Sequence, residues 1–261
     1  MNRSQEASNA VDKTLAVIDF IFQGETTFTQ IHQSLGLPKA TLHRILCSLE
    51  AYDYVIRDAE TEKYKLGRKF IYYGEQVKAQ TSIVSVAKDA VEDLAKQVGE
   101  SVALSALYQG LTLTLLSVQG DSSSLTSMLT PVSPLNCSAS GKLHLARMSD
   151  EQLRAYFSSG EWRQKTVNTI CTFEAFKPEQ KKILKSGIAF DDEEYEYGLF
   201  CMSVPLRNHN GIIPCNIGLS APKTRLFMKG ADEVEAALRR CAETVSRQLA
   251  EIQYQPEYTG E

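Results

Sequence analysis

The run Gly36-Leu37-Pro38-Lys39-Ala40-Thr41-Leu42-His43-Arg44-Ile45-Leu46 decides how the beginning of this chain folds. Pro38 falls in the first turn of a helix, where its missing N–H costs no hydrogen bond. Leu42, Ile45, Leu46 and Leu49 follow at helical spacing and make a buried stripe. Lys39, Thr41, His43, Arg44 and Ser48 lie wholly or partly off that stripe. Gly36 suits the left-handed cap that closes a preceding helix. That helix spans Phe28–Leu35 and starts behind a capping box, Thr27-x-x-Gln30, in which the hydroxyl takes one orphan N–H and the amide reaches back to another. Further upstream, Ala10–Phe22 places Val11, Leu15, Ile18 and Phe22 on one face, and Gly24 ends it. Two helices joined by a tight turn containing Gly form a helix-turn-helix, whose second helix enters a DNA major groove.

Charge supports this reading. No acidic residue occurs between Glu25 and Glu50, in a chain with 32 Asp+Glu against 28 Lys+Arg. A surface that approaches phosphate keeps carboxylates away, because they repel it and are desolvated for nothing. Arg44 offers a bidentate fork to guanine or phosphate, and Lys39 a point charge. Thr29, Gln30 and Thr41 sit at helix N-terminal turns, where hydroxyl and N–H groups meet phosphates. Ser48 shares the open side of the helix, and His43 either reads a base or covers the surface. Two short β-like runs, residues 54–57 and 63–66, flank the polar turn Asp58-Ala59-Glu60-Thr61-Glu62, so the motif is winged. Lys63 and Lys65, with Arg68 and Lys69, border the acidic tip. They either pair with phosphates or form a solvated face.

At 261 residues and 43% hydrophobic content the chain accommodates two domains with real cores. Residues 1–80 carry ten basic and ten acidic side chains, so the net charge of −4 belongs to the remainder. A pI of about 5.7 excludes a generic nucleic-acid coat and fits a reader whose cations are concentrated in one element. The six cysteines show no C-x-x-C pair, and with four scattered histidines they give no zinc spacing. They read as reduced thiols of a cytoplasmic protein. The polar start shows no signal peptide, and no apolar run approaches the ~18 residues that span a membrane.

Residues 67–80 continue as a linker helix in which Phe70, Tyr73 and Val77 follow Leu66 at helical spacing. That stripe packs either on its own domain or on the copy in a dimer. Ser82–Val98 is amphipathic and closed by Gly99. Residues 102–108 and Leu111–Val118 form a hairpin about Gln109-Gly110, poorly alternating as strands covered on both faces are. A polar loop at 120–124 follows. Helices are expected at 138–148, 150–157 and 180–185, strands at 199–206 and 212–220, and a last helix at 230–252. This order describes an α+β domain with an antiparallel sheet.

Two acidic or hydroxyl-rich motifs invite enzyme readings. Ser138-Ala139-Ser140-Gly141-Lys142 fails as a P-loop, since Asn136 stands where a Gly is required and Leu143 where Ser or Thr is. It fails as a nucleophile elbow because Ser138 occupies the first Gly position. What remains is a hydroxyl-rich helix N-terminus suited to anions. Asp191-Asp192-Glu193-Glu194 lacks the alternation and central Gly of a calcium loop, and bunched carboxylates more often cap a helical turn. No His has a context that makes it the base for a thiolate, so no catalytic residue, metal or cofactor is assigned.

Three segments together resemble the IclR family of bacterial transcription regulators. They are residues 36–46 with Leu49, Tyr54-Val55 and Tyr64-Lys65-Leu66-Gly67; residues 138–142 with Leu145-Ala146; and Gly187-Ile188-Ala189-Phe190-Asp191-Asp192-Glu193-Glu194 with Gly198, Cys201 and Val204-Pro205. The departures are Ala40, where the family usually has Ser, and Leu143-His144, where smaller or aliphatic residues are usual. The resemblance implies a winged helix-turn-helix over 10–66, a linker helix over 67–80 that pairs two copies, and a GAF-like effector domain over 81–252. It implies double-stranded operator DNA, a small organic acid and self-association as dimer or tetramer. Ala139, Ser140, Asp191, Cys201, Gly218 and Ser220 would face the effector, with Gly218 replacing a frequent Ser. Repression of a catabolic operon is the expected role. The alternative is a metabolite-processing enzyme with a vestigial winged helix, which requires a nucleophile–base set that the sequence does not offer.

Overall fold

The computed structural model describes residues 10–80, 82–120, 131–160 and 162–256. The chain divides into two compact units, residues 1–80 and 81–261. The polar loop expected at 120–124 lies, beyond Gly120, outside the described residues.

The first unit contains α1 (Ala10–Phe22), α2 (Phe28–Leu35), α3 (Lys39–Ala51), β1 (Val55–Arg57), β2 (Tyr64–Leu66) and α4 (Lys69–Gln80). Its turn is built as the residues dictate. Thr27 N–H donates to Gln30 Oε1 at 2.8 Å and Gln30 N–H to Thr27 Oγ1 at 3.3 Å, while Gly36 takes φ +63°. Pro38 is the N-cap of α3 rather than a member of its first turn, and its carbonyl accepts Leu42 N–H at 3.0 Å. β1 and β2 pair antiparallel, with Val55 opposite Leu66, and Tyr64 bridges back to Thr26. Asp58 ties the wing tip by accepting the N–H groups of Glu60 and Thr61, which hold its carboxyl below the usual range. Val17, Ile21, Ile31, Leu42, Leu46 and Val55 close the core.

The stripe expected on α1 is not the buried one. Val11, Leu15 and Phe22 are 63%, 53% and 66% exposed, whereas Val17 and Ile21 meet the core. The helix carries two neighbouring apolar stripes, and periodicity alone does not say which one finds a partner in its own unit. The linker helix begins at Lys69, two residues later than expected. A Cβ on Gly67 would stand 2.0 Å from Asp53 O, so this glycine lets the chain cross close beneath that turn before α4 starts. Phe70 lies edge-on to Tyr54 at 5.5 Å, and the Tyr73 and Tyr54 hydroxyls are 2.9 Å apart.

The second unit runs α5 (Ser82–Val98), β3 (Ser101–Tyr108), β4 (Leu111–Val118), β5 (Val132–Pro134), α6 (Ala139–Leu145), α7 (Asp150–Ser159), α8 (Phe173–Ser186), β6 (Ala189–Asp192), β7 (Leu199–Asn208), β8 (Gly211–Pro222), α9 (Lys223–Lys229) and α10 (Ala231–Glu251). The strands form one antiparallel sheet in the order β5-β4-β3-β8-β7-β6. Side-chain alternation sorts its faces. Val102 and Leu104 of β3, Met202, Val204 and Leu206 of β7, and Ile217 and Leu219 of β8 join the cluster made by α5 and α10. Val91 and Leu94 of α5 and Leu238 and Val245 of α10 are fully or almost fully buried there, each such burial contributing about 1.5–3 kcal/mol. The intervening Ala103, Ser105, Cys201, Ser203, Gly218 and Ser220 belong to the other face, beside α6.

Several expectations here need correction. The helix expected over 138–148 ends at Leu145. The short helix at 180–185 is the end of α8, which begins at Phe173 behind the Thr172 cap; Pro178 inside it hides the continuity from a sequence reading. The turn that follows the four acids at 191–194 is irregular rather than helical, running on from β6, although Asp191 does cap it by accepting two N–H groups. β5, β6 and α9 were not expected, being too short to carry a clear period.

Candidate DNA-reading surface and effector cavity

Along α3, Lys39, His43, Arg44 and Ser48 are exposed and Thr41 half-exposed, while Leu42, Ile45, Leu46 and Leu49 hold the helix on the core. The side chains of Lys39 and Arg44 make no ion pair among the described residues. His43 Nδ1 stands 3.5 Å from Cys47 Sγ one turn on. At the start of α2, Thr29 is exposed, but Gln30 has its oxygen committed to Thr27, so only its amide nitrogen remains for an outside partner. Lys63 and Lys65 are exposed on the wing. The unit thus exposes cations and hydroxyls on α2, α3 and the wing with few internal obligations, as phosphate contact requires.

In the second unit, a cavity of about 90 Å³ lies between the sheet and α6. All six residues named for the effector, Ala139, Ser140, Asp191, Cys201, Gly218 and Ser220, line it. The fold brings them there from four elements. Cys201 stands opposite Asp191 across β6–β7 and opposite Ser220 across β7–β8, so the three form one row. Gly141 lets α6 approach, since a Cβ there would meet Leu135 backbone at 2.3 Å. Ser140 Oγ donates to Asn216 Oδ1 at 2.7 Å, and Asn216 Nδ2 contacts His144 Nε2 at 3.2 Å, so a buried network clamps α6 to β8. Burial pushes the His144 pKa down to about 4, leaving a neutral ring whose Nε2 accepts. A Cβ on Gly218 would lie 3.3 Å from Ser203 Oγ and 3.5 Å from Ser140 Oγ. The missing serine therefore leaves room that this network occupies.

The row is hydrogen-bonded in sequence. Ser220 Oγ donates to Cys201 Sγ at 3.1 Å, and the Cys201 thiol donates to the Asp191 carboxylate. Asp191 Oδ1 also accepts Glu194 N–H at 2.8 Å and Tyr195 N–H at 3.2 Å. Burial pushes Asp191 up to about 6 against those two donors and the charge of Lys142. Burial and the neighbouring carboxylate push the Cys201 thiol well above its ordinary value, which leaves it inert as a nucleophile.

Sequence reasoning missed two features. The first is the rest of the wall: Ser105 and Thr114 meet at a β-bulge between β3 and β4, and Ser133 and Glu196 add to the polar lining beside the expected Ser138 turn. Only the hydroxyls interrupting apolar strands hinted at this. The second is Lys142, 1% exposed, whose Nζ bonds Glu194 and, at 3.0 Å, Glu179. Burial works against its charge, but the two carboxylates outweigh that and its pKa rises. Glu194 is pushed up to about 7 by burial despite Lys142, and its Oε2 has no hydrogen-bond partner among the described residues. The helix spacing of Lys142 gave no sign that it points inward.

A winged helix-turn-helix with an open cationic face, together with a unit enclosing a polar cavity, defines a ligand-responsive DNA-binding regulator. Residues 10–59 match the IclR helix-turn-helix domain, and residues 75–247 the family described as bacterial transcriptional regulator IclR C-terminal. The chain belongs to the IclR family of bacterial transcription regulators. It is 29% identical to the DNA-binding transcriptional repressor YiaJ of Escherichia coli K12, over 82% of this chain and 77% of that protein. It is 24% identical to the HTH-type transcriptional regulator KdgR of the same strain, over 97% of both. The crystal structure of Thermotoga maritima IclR superimposes with a TM-score of 0.66 at 30% identity, covering 92% of this chain and 98% of that one. A putative transcriptional regulator from Rhodococcus sp. RHA1 shares the fold with a TM-score of 0.77. No helix among the described residues is long and apolar enough to cross a membrane.

Proposed function

We propose that this chain is a cytoplasmic repressor of a catabolic operon, reading its operator through residues 10–66 and binding a small hydroxyl-bearing metabolite in the cavity of residues 81–252. The convergence of Ser140, Asp191, Cys201, Gly218 and Ser220 on one cavity carries this reading. The repressor assignment draws on relatives such as YiaJ. DNA contact is assigned to Thr29, Gln30, Lys39, Thr41, His43, Arg44, Ser48, Lys63 and Lys65. The expected organic acid fits in part: its hydroxyls match the wall, but among the described residues no Lys or Arg lines the cavity to meet a carboxylate. Self-association through the linker helix also needs revision in detail. Phe70 is engaged by Tyr54 of its own chain, whereas Ile71, Tyr72 and Val77 are 68%, 60% and 51% exposed and are the residues offered to a second copy.

Control follows from linkage. A ligand that prefers one state of the protein shifts DNA affinity, and DNA shifts ligand affinity by the same factor, typically about 5–150-fold. Titration of the protein–DNA complex with hydroxy acids, sugar acids and neutral polyols tests this. A ligand-dependent change in DNA affinity that Asp191→Ala and Ser220→Ala both remove is the expected result. An unchanged response in both variants places the effector site elsewhere.

A further inference from the structure

Exposure locates the mouth of the cavity. Among the described residues of its lining, Glu196 alone is exposed, with half-buried Tyr195 and Leu199 near it in the chain. The cavity therefore opens along the turn that follows β6. A second segment is fastened to that turn. Thr166 Oγ1 donates to Glu193 O at 2.6 Å, and Thr169 Oγ1 to Glu194 O at 2.6 Å. Thr169 Oγ1 also accepts the N–H groups of Lys165 and Thr166, at 3.1 and 3.0 Å. Both threonines are buried, so the backbone of residue 165 has a fixed place beside the turn. The exposed side chain of Lys165 starts from this anchor and lays Nζ over the Tyr195 ring, 5.2 Å from its centroid. The same charge opposes the burial that pushes the Cys137 thiol up to about 12, so the ammonium also acts on the residue that precedes Ser138 of the wall.

The other cations around this turn are occupied. Lys142 is held by Glu179 and Glu194, and Lys223 by Asp192 at 2.6 Å and Glu193 at 2.8 Å. Lys165 makes no ion pair among the described residues. Asp191 and Glu196 line the cavity, so an anion that enters meets two carboxylates, and a positive charge at the mouth offsets their repulsion. A lysine suits that task, being a point charge on a flexible four-carbon stem. We propose that Lys165 is the charge partner of an anionic effector: it moves from the Tyr195 ring across the cavity mouth to meet the ligand carboxylate, and so sets the preference for an acid over its uncharged analogue. This rests on the reading of the cavity as the effector site. Tyr195 keeps the ammonium at the mouth before the ligand arrives. A cation–π contact at an exposed site is weak, and a charge-assisted hydrogen bond to a carboxylate replaces it favourably.

Three acids paired with their alcohols separate charge from shape: glycolate with ethylene glycol, glycerate with glycerol, and gluconate with sorbitol. Their binding to the full chain is measured by calorimetry at low and high salt, for the parent, Lys165→Met, Lys165→Arg and Lys165→Glu. The substitutions fall on an exposed side chain, so all four proteins fold. Lys165→Met is expected to weaken each acid that binds the parent by about threefold to fivefold and to leave the alcohols unchanged. Lys165→Glu should weaken the acids further, and Lys165→Arg should retain them. The parent's preference for the acid should shrink as salt is added. Unchanged acid affinity in Lys165→Met, an equal loss for acid and alcohol, or no acid binding to the parent overturns the proposal. Acid binding that Lys165→Met leaves intact while Asp191→Ala and Ser220→Ala remove it refutes the role of Lys165 and leaves the cavity reading standing. Acid binding that neither Asp191→Ala nor Ser220→Ala touches defeats the cavity reading itself.

Discussion

The two units treat polar side chains in opposite ways. On α3, Lys39 and Arg44 stand in solvent and make no ion pair among the described residues. In the cavity of the second unit, Ser140, Cys201, Asp191 and Ser220 bond one another or their neighbours before any ligand arrives. A surface for DNA needs no internal preparation, because phosphate supplies the partner and released counterions drive association. A buried site is different, since an unmet polar group there costs the full desolvation penalty. The free valences that its network leaves therefore define what the ligand must bring. The first unit is in that sense open to its partner, and the second is specified for one.

The largest test of this contrast is whether the units are separable in stability. Leu46 is 1% exposed in the core of the first unit, and Leu46→Ala is expected to cost about 2–5 kcal/mol there. Thermal unfolding followed alongside ligand binding should show DNA binding lost and cavity binding kept. Loss of both would mean that the two units fold as one.

A smaller effect belongs to the cavity side. Asp191 and Glu194 ionise at about 6 and about 7 in the folded chain, above their ordinary 3.8 and 4.5. Raised carboxyl pKa values stabilise the fold below the unfolded values, and that stability is lost as pH climbs through the folded ones. Each group should thus remove about 3 kcal/mol from the second unit between acid and neutral pH. Chemical denaturation across that range checks the slope, and Asp191→Asn with Glu194→Gln should flatten it. A slope of the opposite sign, or one indifferent to both substitutions, would show that neither carboxyl is held as described.

The smallest concerns the turn that aims α3. Thr27 caps α2 and holds Gln30, so Thr27→Ala should cost about 1 kcal/mol. It should leave the Gln30 oxygen held by the residue 27 N–H and lose only the Thr27 hydroxyl as a donor to it. Equilibrium unfolding of the variant measures the loss, and an unchanged midpoint would make the capping box dispensable.

The same contrast explains what the sequence made legible. The reading head is local: capping box, Gly36, Pro38 and the stripe of α3 fall within a few turns of chain, where spacing maps directly onto geometry. The cavity is not local. Its lining comes from β3, β4, β5, β6, β7, β8 and α6, and only the resemblance to a family brought Ser140, Asp191 and Ser220 together beforehand. Ser105 and Thr114 depend on a bulge that no pattern announces. Lys142 shows a further limit, since a lysine reads as surface until Glu179 and Glu194 are seen around it. On α1 the period was right and the face wrong, because two apolar stripes competed for one core.

The central claim is that α3 reads DNA. Its most direct test is affinity as a function of salt, using duplexes that the protein itself selects from a random pool, for the parent, Lys39→Ala and Arg44→Ala. Lys39→Ala should weaken binding to every sequence and reduce the salt slope by about one. Arg44→Ala should lose about 1–3 kcal/mol on the selected duplex while unrelated DNA is affected less. If both variants keep the parent's affinity and slope on the selected duplex, α3 is not the reading helix and the account fails at its centre.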